Sequence, residues 1–277
     1  MLSILRFDDA HDVVYGVLAA LYIIFFIVSS VFLYLHLGNA PKRWSIHFWL
    51  LFFVFLNASI RTVFLILELF FEIKEVDDQT PIARFFTEFL IEGPAVICYS
   101  TFSLLIYYLR DLCHAAGSTI TSSNRMKHFF VWSNIVFYIA AITMWVYVGI
   151  DPVNQDWTLK ASAILFMTAC LLASLGFMCY GVTLVLSLKR FPIVSVFLKK
   201  QMKKVAYVTA ISAVCFLVRG LFQFISMLDD DPFGGHAIVV LLYYFLLDVL
   251  PYAVLLSMLK EKWPKRRTLN TFNYIRV

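Results

Sequence analysis

The stretch LLYYFLLDVLPYAVLLSMLKEKW, residues 241–263, decides how the chain must fold. Residues 241–259 carry a single charged side chain, Asp248, and a run of about 20 such residues can cross the hydrocarbon core of a bilayer as a helix. The run also contains Pro251, which interrupts regular helical hydrogen bonding. An acid and a proline inside a membrane span indicate a specific structural or functional requirement at that point.

The whole chain has the composition of a membrane protein. Of its 277 residues, 61% are hydrophobic and only 15% are charged, and the mean hydropathy is +0.82. Soluble domains average about 45–50% apolar and about 25% charged residues. We therefore predict an all-α, polytopic membrane protein with a seven-transmembrane-helix bundle at 13–259, an N-terminal segment at 1–12 and a short basic tail at 260–277. The predicted spans are 13–37, 45–71, 86–109, 129–149, 159–188, 205–228 and 236–259.

Lysine and arginine collect on one side of this predicted bundle, whereas acids dominate the other side. Because cytoplasmic loops carry an excess of basic residues, we predict a receptor-like (GPCR-like) topology with a lumenal or extracellular N-terminus and a cytosolic C-terminus. The first twelve residues lack the pattern of a cleavable signal peptide, so the first span is expected to act as the insertion signal. The basic side includes Lys42, Arg43, Arg110, Lys189, Arg190, Lys199, Lys200, Lys203, Lys204, Lys265, Arg266 and Arg267.

These basic residues have a simple interpretation and two specific ones. In any membrane protein they can be a topology signal alone. Their denser clusters can also bind anionic lipid headgroups, at about 1 kcal/mol per residue near the surface. An acidic partner protein could use the same patch. No nucleic-acid-binding module is visible, so we predict no direct nucleic-acid binding despite the net charge of +5.

Six ionisable residues fall inside the predicted spans. They are Arg61, Glu68, Glu88, Glu92, Arg219 and Asp248. A charge at the bilayer centre costs about 2.5–3.5 kcal/mol, so these residues should face the interior and find partners. Their depths allow an Arg61–Glu92 pair, and an Arg219–Asp248 pair if spans 6 and 7 are neighbours. Pro251 should free a backbone carbonyl and bend the helix beside Asp248. This intramembrane polar network is either static packing or a switch or ligand-binding cluster.

The sequence lacks the residues that several functions of seven-helix proteins require. A retinal protein needs a lysine in the last span, and 236–259 contains none. The six histidines occur singly near span ends, without the spacing of zinc ligands, and the five cysteines are expected to be free thiols. We therefore predict no catalysis, no metal and no cofactor. An ion-coupled transporter stays open because of the buried charges, although no internal repeat is visible.

Four stretches carry a resemblance to a known family. They are FLNASIRTVFL with Arg61, STFSLLIYYLRDLCHAAGS, CFLVRGLFQF with Arg219, and LLYYFLLDVLPYAVLLSML followed by WPKRR. They resemble the tobamovirus multiplication protein 1/3 family, the THH1/TOM1/TOM3 domain, which is related to lysosomal orphan-receptor-like seven-helix proteins. One departure is Asp248, where the family pattern leads us to expect glutamate.

The resemblance implies a non-enzymatic scaffold of the vacuolar or lysosomal membrane, with the plasma membrane as the alternative. It also implies that the scaffold recruits a small GTPase of the Arl type and can anchor a viral replication protein of tobamoviruses. Anionic lipids are further expected partners, and a homo-oligomer is left open. The alternative functions are a ligand-responsive receptor with a pocket among Arg61, Glu92, Arg219 and Asp248, and the ion-coupled transporter.

Overall fold

The computed structural model describes residues 9–39, 46–71, 80–115, 124–150, 155–190, 196–228 and 237–260. Nearly all of these residues are helical. Residues 1–8 of the predicted N-terminal segment (1–12) and residues 261–277 of the predicted tail (260–277) lie outside the described residues. The elements are α1 (Asp9–Asn39), α2 (Ile46–Phe71), α3 (Pro81–Ala115), α4 (Asn124–Ile150), α5 (Gln155–Arg190), α6 (Val196–Leu228), α7 (Ala237–Tyr244), a π-helical turn (Phe245–Val249) and α8 (Leu250–Lys260).

Seven spans in this structure are long and apolar enough to cross a membrane, which confirms the predicted number. The seventh span is built from α7, the π-helical turn and α8 together. The chain is therefore an integral membrane protein. The spans are Val13–Gly38, Ile46–Leu69, Pro81–Arg110, Val131–Ile150, Lys160–Thr183, Lys203–Ile225 and Ile238–Leu259.

The third span begins earlier than its hydropathy indicated. The prediction started it at residue 86, whereas α3 starts at Pro81. Thr80 caps the helix, because its hydroxyl accepts a hydrogen bond from the Ala83 N–H at 3.3 Å. Proline suits the first helical position, where its missing N–H is not needed. The Thr80–Pro81 pair is a local capping signal that a count of apolar residues does not detect.

Consecutive helices run antiparallel. The segments that connect them have at most nine residues and reach at most about 30 Å, which is shorter than the roughly 39 Å length of a 26-residue helix. Hence α1, α3, α5 and α8 end on the same side of the bundle. This side, which contains Arg110 and Lys203, is called the basic end below, and the opposite side is called the acidic end.

An aromatic cluster fills the centre of the bundle. Phe102 of α3 is fully buried, and its ring centroid lies 4.8 Å from that of Phe216, 5.4 Å from that of Tyr252 and 6.0 Å from that of Phe177. Such tilted and edge-on pairs add stability beyond the area that they bury. This cluster joins α3, α5, α6 and α8, and it holds α6 and the seventh span in fixed positions next to the charged residues described below.

Candidate functional site

Asp248 lies between two arginines from different helices. Its Oδ2 is 3.2 Å from Nε of Arg61 on α2, and its Oδ1 is 3.4 Å from Nη1 of Arg219 on α6. The hydroxyl of Tyr22 on α1 donates a hydrogen bond of 2.7 Å to Oδ2. Only 2% of Asp248 is exposed. One carboxylate therefore connects α1, α2 and α6 to the seventh span, and the three ionic groups together carry one excess positive charge.

The π-helical turn and Pro251 create a free backbone acceptor beside this cluster. Within the turn, the Leu250 N–H bonds to the Phe245 carbonyl, five residues earlier. In that register the next carbonyl, that of Leu246, faces the nitrogen of Pro251, which has no hydrogen to donate. The thiol of Cys215 on α6 lies 3.5 Å from the Leu246 oxygen and acts as the donor. A side chain of α6 thus supplies the hydrogen bond that the irregular helix cannot supply to the Leu246 carbonyl.

Arg61 makes further contacts that fix its guanidinium group. Its Nη1 donates to the backbone carbonyl of Ile91 on α3 at 3.3 Å. Its guanidinium carbon lies 5.1 Å from the ring centroid of Tyr244 on α7, within range of a cation–π interaction. Arg61 is 4% exposed. The group is therefore held on three sides by α3, α7 and Asp248.

Glu92 forms a separate polar site with α4 and α5. Its Oε2 accepts a hydrogen bond from Nε1 of Trp145 at 2.8 Å, and its Oε1 accepts one from the hydroxyl of Ser162 at 2.9 Å. The sequence allowed Arg61 and Glu92 to form a pair, but the described contacts of Glu92 do not include Arg61. The two residues lie at similar depths, but Arg61 contacts Asp248 and Glu92 faces α4 and α5.

The other predicted members of the network take different positions. Pro251 is buried one turn after Asp248. Glu68 follows Arg61 by two turns of α2, and Glu88 precedes Glu92 by one turn of α3; both are half-buried. The described partners of Asp248 are Arg61, Arg219 and Tyr22, so neither glutamate joins the Asp248 cluster.

A cavity of about 220 Å³ lies next to these residues. Residues of α2 to α7 line it, and both Arg61 and Arg219 are among them. Glu92 lines it as well, so the cavity joins the Asp248 cluster to the Glu92 site. Its remaining walls are largely aromatic and include Phe137, Phe166, Phe216, Phe222, Tyr243 and Tyr244.

The predicted basic surface is only partly described. Lys203 is exposed and Lys204 is half-buried at the start of the sixth span. Arg110 differs from the expectation of a surface contact, because it is 8% exposed and its guanidinium carbon lies 4.8 Å from the ring centroid of Tyr107. Lys42, Arg43, Lys265, Arg266 and Arg267 lie outside the described residues. Lys189, Arg190, Lys199 and Lys200 belong to described helices, but their side chains lie outside the described set.

Sequence reasoning missed Tyr22, Trp145, Ser162 and Cys215 as partners of the buried charges. Their hydrogen-bonding groups, near the middle of apolar spans or in the half toward the acidic end, were the available signal, since buried polar groups need partners. The sequence did not show which acid or carbonyl each group would meet. Within the described part of the chain, no three His, Cys, Asp or Glu residues come together to hold a metal ion. Cys98, Cys170, Cys179 and Cys215 are free thiols, and the side chain of Cys113 is not described.

Comparison with known families gives a match to one family model and to several plant proteins. The family model described as the THH1/TOM1/TOM3 domain matches residues 6–276. Tobamovirus multiplication protein 1 of Arabidopsis thaliana is 33% identical over 181 residues, which are 64% of this chain and 60% of that protein. Tobamovirus multiplication protein 3 of the same plant is 30% identical over 190 residues, which are 68% of this chain and 61% of that protein.

A tobacco protein gives a similar match. Tobamovirus multiplication protein 3 of Nicotiana tabacum is 32% identical over 180 residues, covering 64% of this chain and 60% of that protein. The matched region therefore spans about three fifths of the length of these curated relatives. No solved structure matches the chain.

Proposed function

Because the chain belongs to the THH1/TOM1/TOM3 domain family, we propose that it is a non-enzymatic membrane scaffold that supports the multiplication of tobamoviruses. The observation that carries this proposal is the extent of the family match, which includes all seven spans. The relatives are named tobamovirus multiplication proteins 1 and 3, and they share about a third of the aligned residues with this chain. In this function the protein anchors a viral replication protein to the membrane that it occupies.

The proposed host partner is a small GTPase of the Arl type, and the proposed location is the vacuolar or lysosomal membrane. The binding surface in this proposal is the basic end of the bundle, assisted by anionic lipids at the same surface. Its support is the concentration of lysine and arginine on this side, including the exposed Lys203. Complementary charge speeds the encounter of two partners and disfavours wrong ones.

This function requires a receptor-like orientation, with the basic end in the cytosol. Lys160 and Lys203 are both exposed, but they lie at the acidic and the basic end respectively. We expect a membrane-impermeant thiol reagent to label Lys203→Cys in intact organelles, and to label Lys160→Cys only after the membrane is permeabilised. The background for this experiment is a chain whose native cysteines are replaced by alanine or serine. Labelling of Lys160→Cys in intact organelles together with protection of Lys203→Cys would show the opposite orientation.

The binding surface can be tested by reversing the charge of Lys199, Lys200, Lys203 and Lys204 to glutamate. We expect capture of the small GTPase to fall by about tenfold or more, because like charges across an interface cost several kcal/mol. Tobamovirus RNA should accumulate in plant cells that lack multiplication proteins 1 and 3 when the unaltered chain is supplied, and not when the reversed chain is supplied. GTPase capture is measured by pull-down, and viral RNA by hybridisation.

Two controls make this result specific. Lys160→Glu at the acidic end should leave both readouts unchanged. The reversed chain must also show the thiol-labelling pattern of the unaltered orientation, because basic residues themselves direct membrane insertion. Unchanged capture by a correctly oriented reversed chain would contradict the proposed surface. A failure of the unaltered chain to restore viral RNA would contradict the proposed function itself.

A ligand-responsive receptor is the second candidate function. The cavity favours it, because ligand sites are concave spaces with a few convergent polar groups, and this space of about 220 Å³ is lined by Arg61, Glu92 and Arg219. A ligand in this cavity could change the packing of α6 against the seventh span, since Arg219 and Asp248 connect them.

A further inference from the structure

The cavity presents opposite charges from two sides of the bundle. Arg219 of α6 contributes a guanidinium group, and Glu92 of α3 contributes a carboxylate. Ionisable groups that line a cavity inside a membrane span are candidate contacts for a ligand. We propose that the cavity is a binding site for a small α-amino acid with an apolar side chain, whose carboxylate binds Arg219 and whose ammonium group binds Glu92.

Arg219 keeps one edge of its guanidinium group available for such a carboxylate. The described contacts of Arg219 both use Nη1, which lies 3.4 Å from Asp248 Oδ1 and 3.8 Å from the sulfur of Cys98. Its Nε and Nη2 have no partner among the described residues. These two nitrogens form one edge of the planar group, and this edge suits bidentate recognition of a carboxylate.

Glu92 likewise retains acceptor capacity. Each of its oxygens accepts one described hydrogen bond, from Trp145 and from Ser162. An ionised carboxylate has about four acceptor positions, so about two remain for a cationic donor. Trp145 and Ser162 also hold the carboxylate in place, which lowers the entropic cost of binding a ligand.

The two charged groups lie near the same stretch of α3 and line the same cavity. Glu92 lies six residues before Cys98 on α3, which corresponds to about 9 Å along the helix axis, and Nη1 of Arg219 lies beside the Cys98 sulfur. A ligand that contacts both groups through charge-assisted hydrogen bonds of about 2.8 Å therefore needs a cationic and an anionic group close together. The nitrogen and the carboxylate oxygens of an α-amino acid are about 3 Å apart.

Charge balance favours a zwitterion over a simple anion. Arg61 and Arg219 are matched in number by Asp248 and Glu92 around the cavity and its adjacent cluster. A carboxylate without an ammonium group would leave these four residues and the ligand with a net negative charge, whereas a zwitterion adds no net charge. Buried unpaired charge is strongly unfavourable, so the site should discriminate against ligands that carry only one of the two charges.

The rest of the cavity fits an apolar side chain of moderate size. Phe137 and Phe166 line the wall formed by α4 and α5, next to the small residue Ala169. A cavity of about 150 Å³ in a protein core accommodates benzene, which has six heavy atoms. On that scale a volume of about 220 Å³ accommodates about nine heavy atoms, the number in leucine.

The test uses the purified full chain in lipid nanodiscs and measures equilibrium binding of radiolabelled leucine. Two competitors each lack one charged group: 4-methylpentanoate lacks the amino group, and 3-methylbutylamine lacks the carboxylate. We expect saturable leucine binding, with each competitor weaker than unlabelled leucine by about ten- to a hundredfold, since a hydrogen bond to a charged group contributes about 1.5–3 kcal/mol.

Two variants examine the two halves of the site. Glu92→Gln should weaken the binding of leucine by about ten- to a hundredfold. It should also remove most of the preference for leucine over 4-methylpentanoate, because the lost contact is the one to the ammonium group. Ala169→Leu should abolish binding by filling the cavity while leaving every charged residue in place. The matched control is Ala210→Leu, since Ala210 is exposed on α6 and lies outside the cavity. Size-exclusion profiles identify any variant that fails to fold.

The proposal is overturned if leucine binds no better than both competitors, or if folded Ala169→Leu binds leucine normally. Competition by 4-methylpentanoate equal to that of leucine would show a simple carboxylate site instead. The measurement uses purified protein without virus or GTPase, so its result is independent of the scaffold function.

Discussion

Replacing Asp248 with asparagine is expected to destabilise the bundle by about 3–5 kcal/mol, since it leaves two buried guanidinium groups without their shared anion. The Asp248 cluster then carries two excess positive charges instead of one. The measurement is thermal or denaturant unfolding of the full chain in one fixed detergent. Tyr22→Phe is a matched control, because it removes one hydrogen bond to the same carboxylate and should cost only about 1 kcal/mol.

Two further variants separate charge from shape at this position. Asp248→Glu keeps the anion and should retain most of the stability, in keeping with the glutamate that the family pattern suggests there. Asp248→Asn combined with Arg219→Gln restores the original net charge of the cluster, so the double variant should be more stable than Asp248→Asn alone. If Asp248→Asn unfolds like the unaltered protein, Asp248 does not hold these helices together.

Replacing Phe102 with alanine is expected to destabilise the bundle by about 2–3 kcal/mol. The same change costs about 3–5 kcal/mol in soluble cores, but part of that cost reflects transfer into water, which is absent when the unfolded segments stay in lipid. What is lost here is packing against Phe177, Phe216 and Tyr252. Unfolding in the same detergent as above measures the effect.

The matched control for Phe102 is Phe224→Ala. Phe224 lies on α6 and is 43% exposed, so its removal should change stability by less than about 0.5 kcal/mol. Equal losses for the two variants would mean that Phe102 is not a packing centre. The leucine-binding cavity should survive Phe224→Ala, because that residue does not line it.

The comparison of these two phenylalanines shows what hydropathy cannot determine. The chain contains 28 phenylalanines, and each of them contributes equally to an apolar run whether it faces lipid or protein. In soluble proteins the polar face of a helix identifies its exposed side. In a membrane protein both the lipid-facing and the protein-facing sides of a helix can be apolar, so polarity does not distinguish them. The buried set therefore depends on the rotation of each helix, which the sequence pattern does not reveal.

The buried charged residues likewise show that the sequence does not identify the contact partners of each helix. Their presence inside the spans predicted that they face the interior, because an unpaired charge in lipid is costly. Depth alone allowed Arg61 to meet Glu92. In the structure, Arg61 instead contacts Asp248, and Glu92 contacts Trp145 and Ser162.

The sequence by itself determined the number of spans, the separation of basic from acidic ends and the need for a polar site beside Pro251. These properties are local, since about 20 apolar residues cross a bilayer whatever the rest of the chain does. Only the tertiary structure decided that one aspartate joins α1, α2 and α6 to the seventh span, and that a cavity separates Arg219 from Glu92. These features depend on which helices are neighbours and how each is rotated, and both follow from packing among residues that are distant in sequence.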